Sequence, residues 1–113
     1  MDKGSFSKPV KTVDLSGRGT VEFVDVGNVK VSRLTFRPGW RWSEHAKPIV
    51  GGDSCQTHHY GFVIAGHLVV RMNDGSQDEF GPGDVWIIPP GHDAWVVGDE
   101  SVVALEFPPA SGN

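Results

Sequence analysis

The chain has a single cysteine, Cys55, and two of its five histidines, His58 and His59, follow within four residues. A thiolate and imidazoles suit a borderline cation such as Zn²⁺, and Fe²⁺ or Ni²⁺ are further candidates. The spacing imposes a condition. On a straight strand, residues four apart are separated by about 13 Å, while bonds to an ion are about 2.0–2.3 Å. The chain must therefore bend between Cys55 and His59 if both are to hold one ion. Without an ion, Cys55 is a small buried hydrophobe and His59 a hydrogen-bonded one. A cysteine–histidine nucleophile pair is the other chemistry open to these residues. It would need an oxyanion hole and a third group to orient the histidine, for which Asp53 and Asp93 are the candidates. Neighbouring residues on a strand point to opposite faces, so His58 and His59 cannot both face an interior.

The elements that must position these residues read as strands. Thr20–Val26 alternates, Gly27-Asn28 is a turn pair, and Val29–Phe36 continues as a second strand. Tyr60–Gly66 and His67–Met72 read as strands joined around Gly66, and Asn73-Asp74-Gly75 closes a hairpin. Val85–Pro89, a stretch resuming after Pro90-Gly91, and Ser101–Phe107 complete the set. Glu44–Asp53 is expected to be a loop, with Pro48 and Gly51-Gly52 as breakers. No window sustains the apolar spacing of an amphipathic helix. About eight short, turn-punctuated strands predict an all-β fold, an antiparallel jelly-roll barrel that limits exposed edges. One domain over 1–113 is expected, with its core at about 20–107. Residues 1–11 and 108–113 are expected as tails, the first of them open to use as an edge segment.

Composition narrows the function. The net charge of −4 has no basic cluster to set against it, which disfavours nucleic acid as a partner. No apolar run approaches the length of a membrane span, and the N-terminus lacks the apolar middle of a secretory signal. One cysteine excludes an internal disulfide framework. A cytoplasmic location is the expectation from these features.

The chain resembles the cupin superfamily of small double-stranded β-helix barrels. Gly83, Pro89 and Gly91 match the second cupin motif, G-x5-P-x-G, and Gly66 matches the terminal glycine of the first. The likeness covers about Val31 to Phe107 and is closest to small single-domain cupins of unassigned activity. Counting back from Gly66, the glutamate of the family falls on His59 and its H-x-H pair on Asp53 and Cys55. The histidine of the second motif falls on Ala94, which cannot ligate, while His92 shares its face two residues earlier. The resemblance thus implies that His59 faces the barrel and that His58 shares the outer face with Tyr60 and Phe62. It implies a divalent metal at Cys55, His59 and His92, with Asp53 as a lesser donor, or a barrel that has lost its metal. Isomerase or dioxygenase chemistry follows from the fold by analogy alone.

Four tryptophans are many for this length. Trp86 is expected in the core. Trp40, Trp42 and Trp95 are expected either to line a small-molecule pocket at the barrel mouth, with His45 in the capping loop, or to bury in a dimer interface. Tyr60, Phe62 and Ile64 form an outer apolar stripe that predicts a homodimer. The functions in contention are a metal-assisted small-molecule site, a metal-free ligand or sensor module, and a barrel that only folds and dimerises.

Overall fold

The structure is a computed structural model and describes residues 1–108; the predicted tail at 108–113 lies almost wholly outside that range. Among the described residues nine strands form two antiparallel sheets: β1 (Lys11–Asp14), β2 (Gly19–Val26), β3 (Val29–Phe36), β4 (His59–Ala65), β5 (His67–Met72), β6 (Gln77–Phe80), β7 (Val85–Ile88), β8 (His92–Val97) and β9 (Val102–Glu106). The six-stranded sheet runs β1-β2-β3-β9-β4-β7, and the smaller one runs β6-β5-β8. The all-β jelly roll expected from the turn-punctuated strands is the observed architecture.

Alternation builds the interior. Leu34 and Phe36 of β3, Trp86 and Ile88 of β7, Ala94 and Val96 of β8, and Val102 and Ala104 of β9 are all buried at i, i+2 spacing. The chain passes from the large sheet to the small one at Gly66. This residue has a φ of 78°, and a Cβ there would come within 2.5 Å of the Ser101 carbonyl oxygen. Only glycine combines that left-handed conformation with so close a backbone approach.

Two regions, residues 42–50 and β6, depart from expectation. Residues 44–53 are not an open loop at their start: Trp42–Ala46 makes a π-helical turn and Lys47–Val50 a short α-helix, α1. Pro48 stands in the first turn of α1, where its missing N–H costs nothing. Trp42 and Ala46, four residues apart, bury together beneath the turn. Strand β6 has no alternating apolar pattern; it is held by its pairing with β5, Leu68 opposite Phe80. At the N-terminus, Lys11–Asp14 pairs with β2 and forms the edge of the large sheet. Among the described residues no helix is long and apolar enough to cross a membrane.

Candidate metal and ligand site

The bend that Cys55 and His59 require is present. Cys55 sits outside β4 in an isolated bridge opposite His92, with the Cys55 N–H donating to the His92 carbonyl at 2.7 Å and the Gly91 N–H donating back to Cys55 at 2.7 Å. The chain then crosses through Gln56, Thr57 and His58 and enters the large sheet at His59, which pairs with Ile88. Cys55 is thus held against the small sheet and His59 against the large one, and both face the interior between them. The Cys55 Sγ and His59 Nε2 atoms lie 3.5 Å apart. Sγ and one ring nitrogen from each of His59 and His92 all lie within 4.8 Å of one another.

Both imidazoles are anchored through Nδ1. His92 donates from Nδ1 to the Pro89 carbonyl at 2.8 Å. His59 Nδ1 lies 2.7 and 2.8 Å from the two Glu106 carboxylate oxygens. Fixing Nδ1–H in this way leaves Nε2 as the ring atom available to a shared partner.

Glu106 was not singled out in the sequence, although Val102, Ala104 and Glu106 stand at i, i+2, i+4 and so share the inward face. Its place depends on a glycine. Gly61 of β4 lies opposite Trp86 of β7 on one side and opposite Glu106 of β9 on the other. A Cβ at Gly61 would stand 2.6 Å from Trp86 Nε1. With none there, the indole N–H reaches across the strand and donates to Glu106 Oε2 at 2.9 Å. Trp86 is 1% exposed and Glu106's side chain 14%, so the bond forms away from bulk water and fixes the carboxylate under His59.

These contacts set the charge state of the metal-free cluster. Burial by itself raises the Cys55 thiol, but hydrogen bonds from His59 and His92 and from the Thr57 backbone, with the His59 charge, outweigh it and bring the thiol down to about 5. Burial likewise opposes the charged form of His59, and its bonds to Cys55 and Glu106, with their negative charges, raise it to about 9. Cys55 and His59 therefore stand as a thiolate–imidazolium pair at neutral pH.

The cluster closes one end of a cavity of about 610 Å³. Trp40 and Trp42, for which lining and interface were both open, line it together with Phe36, whose ring stacks on Trp40 at 3.9 Å between centroids. Trp86 is both core and lining. Among the described residues the buried Trp40 indole N–H has no hydrogen-bond partner.

Four expectations are corrected by position. Trp95 does not line the cavity: His92, Ala94 and Val96 take the inward positions of β8, so Trp95 faces out beneath the Arg41 guanidinium, 4.3 Å from its ring centroid. His45 does not line it either, because its Nδ1 accepts the Arg41 N–H at 3.0 Å and secures the helical turn. Asp53 is exposed on the preceding turn and takes no part in the cluster. Asp93 does not orient His59; it accepts the Ser43 N–H at 3.1 Å, and Glu106 holds the orienting position instead. His58 is exposed beside Tyr60, on the outer face as expected. Ala94 is buried and lines the cavity without offering a donor.

No family model matches the chain, and no curated protein matches it. Solved structures do. A protein of unknown function from Acinetobacter sp. ADP1 superposes with a TM-score of 0.61 at 14% identity, over 86% of this chain and 88% of that one. KdgF from Halomonas sp. gives 0.58 at 20% identity, over 89% and 88%. The oxalate decarboxylase of Lactobacillus farciminis gives 0.58 at 22% identity, over 88% of this chain and 30% of that one. These likenesses show the fold, which is that of a small cupin barrel.

Proposed function

We propose that the chain binds a small molecule in the barrel cavity beside a divalent transition metal held by Cys55, His59 and His92. The observation that carries this is the anchoring of both imidazoles through Nδ1, so that two Nε2 atoms and one thiolate sulfur converge where the cavity ends. At tetrahedral angles, zinc-type bond lengths place ligand atoms about 3.3–3.6 Å apart. The 3.5 Å between Cys55 and His59 matches this spacing. One sulfur and two nitrogen donors favour Zn²⁺, with Fe²⁺ and Ni²⁺ as the other candidates. Three protein donors leave a position open toward the cavity, where a bound ion supplies a Lewis-acid site. Glu106 is the outer partner that fixes the His59 ring, and Pro89 does the same for His92.

A metal-free ligand module is the second reading, and one observation favours it. The thiolate of Cys55, the imidazolium of His59 and the carboxylate of Glu106 already satisfy one another, so the cluster persists without an ion. Metal analysis of the purified protein separates the two. About one ion per chain is expected, falling below a tenth in Cys55→Ser and His59→Ala. Sub-stoichiometric metal in the wild type, unaltered by either change, overturns the metal reading and leaves the metal-free module.

We further propose that two copies pair through the outer face of the large sheet. Phe62 and Ile64 of β4 are 41% and 47% exposed there, and Val85 and Ile87 of the edge strand β7 are 72% and 69% exposed. A contiguous apolar stripe of this kind is rarely left in water by a monomer.

A further inference from the structure

The charge around the cavity is sparse and already paired. Among the described residues no lysine or arginine lines the cavity, and the one carboxylate that does, Glu106, is already committed to His59 and Trp86. Away from the Cys55–His59–His92 end the walls are apolar, with Leu15, Leu34, Phe36, Trp40, Trp42 and Leu68 prominent. A ligand carrying carboxylates would leave charge unpaired against such walls, which is costly in a low-dielectric enclosure. A divalent ion does not reverse this balance. The Cys55 thiolate bonded to it and the Glu106 carboxylate behind His59 offset its two positive charges, so the loaded end presents no net positive charge to an anion.

We propose that the cavity takes a neutral, lipophilic molecule, with an aromatic or alkyl body and one lone-pair donor such as a carbonyl or hydroxyl oxygen. The body lies along the Phe36–Trp40 stack and the donor meets the Cys55–His59–His92 end. A volume of about 610 Å³ suits a ligand of ordinary small-molecule size. Dicarboxylates and polyhydroxylated acids are disfavoured, because the one cation in the lining, His59, is already paired with Cys55 and Glu106. This inference rests on the reading that the cavity receives a ligand.

The test uses the purified protein and N-phenyl-1-naphthylamine, a neutral probe that fluoresces in apolar surroundings. Its signal is expected to saturate and to be displaced by 2-acetylnaphthalene. Displacement by 2,6-naphthalenedicarboxylate should be at least tenfold weaker, and oxalate should not displace it at all. Ala94→Phe projects a ring into the cavity and should weaken binding at least tenfold, while Ile87→Lys on the outer face should leave it unchanged. Where Ala94→Phe does not fold, Leu34→Trp serves the same purpose. Equal or better displacement by the dicarboxylate overturns the charge argument and leaves the ligand-cavity reading standing. Probe binding lost with Ile87→Lys but kept with the filled cavity overturns the location. Failure of both neutral and charged compounds to bind overturns the proposal together with the reading beneath it.

Discussion

The two faces of β4 use the same backbone for opposite ends. On the inner face His59, Gly61 and Val63 turn toward the interior, where His59 lines the cavity and Val63 is fully buried. On the outer face the half-buried Tyr60 and the exposed Phe62 and Ile64 continue onto Val85 and Ile87 of β7, all apolar or aromatic. The inner face is the more polar of the two at its His59 end, yet it is the buried one. Hydropathy alone does not sort these faces. What sorts them is satisfaction: the His59 ring on the inner face is held by Cys55 and Glu106, whereas among the described residues nothing covers the outer stripe.

Breaking the inner face has the largest expected effect. Glu106→Gln removes the charge behind His59 while keeping its shape, and metal affinity should fall about 10–100-fold, as for other outer partners of ligating histidines. His58→Ala, one residue away but on the outer face, should leave metal affinity unchanged. Competition with a chelator of known affinity measures both. Equal losses in the two variants would erase the distinction between the faces.

Gly61→Ala attacks the same face through packing. The new methyl would stand 2.6 Å from Trp86 Nε1 and 2.7 Å from the Leu105 carbonyl oxygen. Such overpacking should cost about 1–3 kcal/mol. Urea denaturation reads the cost, and metal affinity should fall with it because the Trp86–Glu106 bond is displaced. An unchanged midpoint would show that the gap at Gly61 is not needed.

The metal-free pair also predicts a pH dependence. The Cys55 thiol lies at about 5 when folded, against 9.0 as its ordinary value, so its stabilisation is full above 9.0 and is lost as the pH falls toward 5. His59 is raised from 6.5 to about 9, so its contribution is full below 6.5 and is lost as the pH rises toward 9. Between 6.5 and 9 the two trends oppose one another. Below 6.5 only the thiol term changes, and the melting temperature of the metal-free protein should drop between pH 6.5 and 5. Cys55→Ala should flatten that drop, and an identical slope in the variant would refute the ion pair.

The smallest expected effect belongs to the outer face. Ile87→Lys should convert a dimer to a monomer of 12.2 kDa in light scattering with little change in metal content. A monomeric wild type at micromolar concentration refutes the pairing.

Much of this was legible in the chain. The strand boundaries around Gly27-Asn28, Gly66 and Asn73-Asp74-Gly75 were readable because turn chemistry is local. The opposition of His58 and His59 followed from alternation along a strand, which needs no partner to hold. Trp95 and His45 were misplaced for a related reason. Alternation from an inward His92 puts Ala94 inward and Trp95 outward, and the helical turn that occupies His45 is too short to show a period.

Sequence alone determined the fold class, the candidate donors Cys55, His59 and His92, and the need for a bend between the first two. These rest on residue type and on a repeat of two, which are properties of the chain itself. Only the tertiary structure decided that Glu106, 47 residues beyond His59, lies 2.7 Å from its ring, and that Gly61 opens the space for Trp86 to hold it there. Those contacts join three strands through cross-strand register, and register is set by how the sheets close rather than by any short stretch of sequence.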